Sequence, residues 1–153
     1  MKKYEFTGET KEIRLLFRTA TLHRIRATVA FGIVEVGDLG GWIEKEENLS
    51  HEGKAWVWGN AEVWGNAEVF SASHVLVIGA IGSRNDFTTF YRDKDNEITV
   101  KCGCFLGKID RFLEKVTQTH GDSKYALVYR AAVEVAKLQI DLSGEAPKDA
   151  DEE

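Results

Sequence analysis

The sequence predicts a mainly β protein, in which a short parallel β-solenoid of the hexapeptide type is capped by N-terminal strands, a β-hairpin and two C-terminal α-helices. Three observations predict it. Residues 55–70 repeat every six positions, as Ala55-Trp56-Val57-Trp58-Gly59-Asn60, Ala61-Glu62-Val63-Trp64-Gly65-Asn66 and Ala67-Glu68-Val69-Phe70. Residues 1–31 alternate apolar and polar residues with the period of a strand. The stretch after Gly107 spaces its apolar residues by three and four, the period of a helix.

A chain of 153 residues, 43% of them hydrophobic, supports one modest core with appendages. It divides into an N-terminal β segment (1–34), an acidic Gly-rich loop (35–54), the solenoid (55–84), a β-hairpin (85–106), a two-helix segment (107–140) and a disordered acidic tail (141–153). No signal-peptide pattern and no apolar run of about 18 residues is present, so a cytoplasmic protein without membrane contact is expected.

In the first segment Ile13, Leu15 and Phe17 alternate with Arg14 and Arg18, and Ile25, Ala27, Val29 and Phe31 with Arg24 and Arg26. Two strands of a hairpin follow, with the arginines on the face away from the core. Residues 1–31 carry seven Lys/Arg against three acids, and residues 35–70 carry eight acids against two Lys/Arg. These faces can pair within the molecule, across a homo-oligomer or with a partner. Direct nucleic-acid binding is disfavoured, because no Lys/Arg cluster with interleaved aromatics stands alone.

Glycines 37, 40 and 41 read as the tight turns of a compact loop, pinned by Leu39, Trp42 and Ile43. In the hexads, Val57, Val63, Val69, Val75 and Ile81 should fill the coil interior. Ala55, Ala61, Ala67, Ser73 and Gly79 point the same way two residues earlier. Trp58, Trp64 and Phe70 then face outward and need cover, from the rest of the chain or from another subunit. An antiparallel meander with Gly-Asn turns leaves strands of only four residues and explains the period less well.

Phe87–Arg92 and Glu97–Cys102 flank Asp93-Lys94-Asp95-Asn96 as a hairpin. Ile109, Phe112, Leu113 and Val116 form the buried stripe of a helix that ends near Gly121. Asp122 or Ser123 caps a second helix, lined by Tyr125, Val128, Ala132 and Val135.

The hexads resemble those of left-handed β-helix proteins, a group that includes trimeric acyltransferases. More specifically, four features look like a set of uncharacterised phage and prophage accessory proteins: Leu22-His23-Arg24-Ile25-Arg26, Gly37-Asp38-Leu39-Gly40-Gly41-Trp42-Ile43-Glu44, Asn48-Leu49-Ser50-His51-Glu52-Gly53 and the Trp-Gly-Asn-Ala repeats. Ile81-Gly82-Ser83-Arg84-Asn85, Cys102-Gly103-Cys104-Phe105 and Thr119-His120-Gly121-Asp122 resemble the tail module of the same set. The resemblance implies an origin rather than an activity.

Three functional readings follow. The first is a non-enzymatic phage-derived protein that blocks a host protein, a defence component, through the acidic and aromatic surface of Trp56, Trp58, Glu62, Trp64, Glu68 and Phe70. The second is a sponge for a small nucleotide-like anion at Arg84, Asn85, Thr88 and Arg92, although these residues could instead cap the open end of the coil. The third is an acyltransferase using His51, His74 or His120 as base, with His74 facing out. Cys102 and Cys104 with His120 are too few and too closely spaced for a zinc site. No metal, cofactor or catalytic residue is assigned, and a homo-oligomer is expected.

Overall fold

The computed structural model describes residues 2–15 and 18–143. Strands β1 (Tyr4–Arg14), β2 (Thr19–Ala27), β3 (Leu39–Ile43) and β4 (Glu62–Val63) form one sheet in that order. A second sheet has the order β5 (Val75–Ile81), β6 (Asp86–Arg92), β7 (Ile98–Cys102) and β8 (Phe105–Lys108). Helices α1 (Ile109–His120) and α2 (Lys124–Gln139) follow. Phe17 of the first alternation and residues 144–153 of the expected disordered tail lie outside the described residues.

The parallel solenoid is overturned. The protein is mainly β with two C-terminal helices, but every strand pairing except β3–β4 is antiparallel. The cause is local. In the first two hexads the Gly-Asn corners close as tight turns, with Ala61 N–H donating to Trp58 O (2.8 Å) and Ala67 N–H to Trp64 O (3.0 Å). After Val69 the period of six is broken, because the Ser71 hydroxyl accepts from Ser73 N–H and opens a 3-10 turn over Ala72–His74. Val75 therefore starts a seven-residue strand of the second sheet, not another corner.

The repeat is still the centre of the larger core. Ala55, Val57, Ala61, Val63, Ala67 and Val69 are all buried there. On one side the repeat binds β3, with Gly41 N–H donating to Val57 O (2.7 Å) and Trp42 N–H to Ala61 O (3.0 Å). On the other it meets the second sheet, where Glu62 N–H donates to Thr89 Oγ1 (3.0 Å) and Glu68 N–H to Arg92 O (3.1 Å).

Strand alternation makes the second sheet a middle layer. Tyr91, Val75, Val77 and Leu106 face the repeat, whereas Phe90, Ile98, Val100 and Cys102 face the helices.

Residues 39–43 are a strand rather than part of a loop. Gly40 and Gly41 serve close packing, since a β-carbon on Gly40 would lie 2.7 Å from Ile25 Cγ1 and Trp56 Cζ2, and one on Gly41 2.6 Å from Trp58 O. Only Gly37 of the three has a positive φ. Of the stripe expected on α2 Ala132 is buried, but Tyr125 and Val135 are exposed and the buried face is rotated to Ala126, Tyr129, Val133 and Ala136. Residues 141–143 are docked, with Asp141 N–H donating to Ser73 O (3.2 Å) and Asn96 Nδ2 to Leu142 O (2.8 Å). Among the described residues no helix is long and apolar enough to cross a membrane.

Opposite charges pair within the chain. Arg18 meets Glu44 at 2.6 Å, Lys2 meets Glu46 at 3.0 Å, and Glu62 takes both Lys11 at 2.5 Å and Lys101 at 3.0 Å. Arg24 and Arg26 reach Glu9 and Glu5.

Candidate functional site

A cavity of about 290 Å³ opens where the turns of the second sheet meet the two helices. Two turns and two helices build it. The β5–β6 turn brings Ser83 and Arg84, with Gly82 at φ 76° and Asn85 at φ 50°. The β7–β8 hairpin turns through Gly103-Cys104 between the paired Cys102 and Phe105, and Gly103 takes φ 57° as a two-residue hairpin requires. Phe112, Lys115, Val116, Thr119 and His120 are spaced to share one face of α1, and α2 adds Tyr129.

Two glycines set the walls. A β-carbon on Gly103 would lie 3.3–3.4 Å from Arg84 Nη1, Cζ and Nε alike, so the guanidinium lies flat against this glycine. Gly82 leaves the space that the Tyr129 hydroxyl fills. The rings form an arc: Phe105 to Phe112 at 5.4 Å, Phe112 to Tyr129 at 5.8 Å and Tyr129 to His120 at 5.7 Å. Burial, with the neighbouring Cys102 adding to it, raises the Tyr129 pKa, so the phenol is neutral over the physiological range. Among the described residues neither Arg84 nor Lys115 is paired with a carboxylate. The arrangement offers cations at the rim and rings at the floor, which suits an anion carrying an apolar group.

The other expected ligand residues do not join Arg84. Thr88 is buried and donates to Cys102 Sγ (3.4 Å), and Asn85 is an exposed turn residue. Arg92 lies at the other end of β6, donating to Glu68 O (3.0 Å) and Asn96 Oδ1 (3.0 Å). Strand β6 alone carries the chain about 20 Å from Asp86 to Arg92, so Arg84 on the turn before it and Arg92 at its far end are too far apart for one small ligand. There is also no coil end for the four to cap.

The expected acidic and aromatic surface is dispersed. Trp56 is 4% exposed and packs edge-on to Phe31 and Tyr4, and Trp64 is wholly buried between Arg18 and Lys101. The second sheet covers the side of the repeat on which Trp64 lies. Trp58 is 48% exposed and Phe70 is half-buried under the Arg92 guanidinium. Glu62 is held by two lysines, and Glu68 lies 3.5 Å from Arg92.

The three histidines stand apart. His51 accepts from Lys3 N–H (2.9 Å) and stacks on Tyr4. His74 is buried rather than outward-facing, because the 3-10 turn rotates it inward, and it accepts from Phe70 N–H (3.3 Å). Burial lowers the pKa of both. His120 lines the cavity with Cys102 and Cys104, yet among the described residues no group of three His, Cys, Asp or Glu side chains can hold a metal ion.

Sequence reasoning missed Lys115, Thr119 and Tyr129. The helical period offered a signal for the first two, which flank the apolar stripe of α1. Tyr129 had none, since the stripe read on α2 was rotated away from it. Compared with models of known protein families the chain matches none, and no curated protein matches it.

Proposed function

We propose that this chain is a binding protein of phage or prophage origin that withholds a small anionic ligand from its host. The origin rests on the resemblance of the Gly-Asp-Leu-Gly-Gly-Trp and tail-module strings. The binding reading rests on one observation, the Arg84 guanidinium held flat on Gly103 at the mouth of a ring-lined cavity and free of any carboxylate among the described residues. An arginine so fixed offers its in-plane N–H groups as a fork for phosphate or carboxylate. Native mass spectrometry of protein incubated with host extract tests this. A retained small anion that Arg84→Ala releases is the expected result, and an empty protein refutes it.

A second reading keeps the host-protein partner, a defence component, and is favoured by Trp58, a large side chain left 48% exposed. Stoichiometric capture of a host protein that Trp58→Ala abolishes and Arg84→Ala preserves is the outcome that selects it. A homo-oligomer is compatible with either, and sedimentation velocity measures it.

A further inference from the structure

The cavity carries more than an anion site. Resting on the anion-binding reading above, we infer that its ligand is a single nucleotide, the phosphate held by Arg84 and Lys115 and the base seated against the ring arc that begins at Phe105.

The rings argue for the base. Phe105, Phe112, Tyr129 and His120 line one cavity in unbroken contact, with centroid separations of 5.4–5.8 Å. A bare phosphate leaves the rings unused; Phe112 and Tyr129 are buried, so the faces a planar heterocycle can stack on are those of Phe105 and His120. Phe105 and His120 are both half-buried, and Phe105 is the wholly apolar one of the two.

The cations argue for the phosphate. Lys115 is exposed on α1 and Arg84 on the β5–β6 turn, so both sit at the rim while the rings lie deeper. This is the polarity of a nucleotide, with an apolar ring inward and charge outward. Ser83 and Thr119 add hydroxyls that can pair with ribose or base edges.

The volume limits the size. About 290 Å³ is at the bottom of the range for small-ligand pockets, room for one base and its phosphate but not for two. A cyclic dinucleotide would have to leave its second base outside the cavity.

Isothermal titration with inorganic phosphate, the four common ribonucleoside monophosphates, adenosine and a cyclic di-AMP separates the cases. At least one monophosphate should bind about tenfold or more tighter than phosphate, the increment one stacked base supplies. Arg84→Ala and Lys115→Ala, both at exposed positions, should weaken phosphate and nucleotide alike. Phe105→Ala should lower the nucleotide to the affinity of phosphate and leave phosphate unchanged, with melting curves verifying that each variant is folded. Phosphate binding without any preferred nucleotide, or a dinucleotide that binds tighter than every mononucleotide, overturns the inference and leaves the anion reading standing. Failure of every ligand to bind overturns the inference, and the anion reading falls with it when the native mass spectrum of extract-exposed protein is empty as well.

Discussion

The hydroxyl of Tyr129 occupies the space that a β-carbon on Gly82 would fill. Gly82 also has φ 76°, a region that costs L-residues about 1 kcal/mol. Gly82→Ala should therefore destabilise the protein by about 3 kcal/mol and lower Tm by about 10 °C. Because the clash has one named partner, adding Tyr129→Ala should cost clearly less than the sum of the two single changes. Additive losses in a thermal-melt cycle would show that Tyr129 is not the obstacle.

Lys108 Nζ lies 3.0 Å from Asp93 Oδ2, 2.9 Å from Asp95 Oδ2 and 3.2 Å from Glu97 Oε1, while Thr99 Oγ1 donates to Asp93 at 2.7 Å. Asp93 has no exposed surface, and burial opposes its charge. The bonds from Thr99, Lys108 and two amides outweigh that and hold its pKa below the ordinary value. A depressed carboxyl pKa adds stability that is present above the unfolded value near 4 and lost as pH falls through the folded one. Urea unfolding of wild type should weaken between about pH 4 and 2 more steeply than that of Asp93→Asn. At neutral pH, Lys108→Met should cost about 2 kcal/mol, because it strips a cation from a buried carboxylate.

Lys3 is 3% exposed, with Nζ 2.6 Å from Ala55 O and 4.8 Å above the Phe31 ring. Burial lowers its pKa to about 8. Between there and about 10.5 the unfolded chain binds the extra proton, so stability rises with pH across that window. Relative to Lys3→Met, wild type should gain about 3 kcal/mol from pH 7.5 to 10.5. Parallel curves for the two proteins would contradict the assignment.

Trp58 and Trp64 hold the same hexad position but have opposite fates, 48% exposed and wholly buried. Trp64→Ala should cost about 4 kcal/mol by chemical denaturation. Trp58→Ala should stay within about 0.5 kcal/mol.

That pair also marks how far the sequence can be read. Local alternation places Val57, Val63 and Val69 inside whatever the global topology, and the stripe of Phe112 and Val116 is visible because a helix repeats its own period. Which tryptophan is covered depends on what crosses the repeat from outside, and no local pattern encodes that. The period of six favours a solenoid coil over a run of tight Gly-Asn turns, because nothing in the period itself marks the Ser71 turn that sends Val75 into another sheet. Gly40 and Gly41 read as turn residues because sequence does not show the crowding that requires them, by Ile25 and Trp56 at the first and by Trp58 O and Ala61 O at the second. The cavity was half legible: Arg84, Cys102 and His120 stood out for their chemistry, but their convergence depends on sheet and helix packing across nearly forty residues.

Successive residues of β7 belong to different rooms of the molecule. Cys102 lines the cavity, whereas Lys101, pointing the other way, holds Glu62 of the repeat at 3.0 Å. Glu62 also holds Lys11 of the first sheet. The strand is a party wall, so a ligand that pushes on Cys102 leans on an ionic joint whose far side is β1. Occupancy of the cavity should consequently be audible at a distance, as slower amide exchange along β1, more than one layer away from anything the ligand touches.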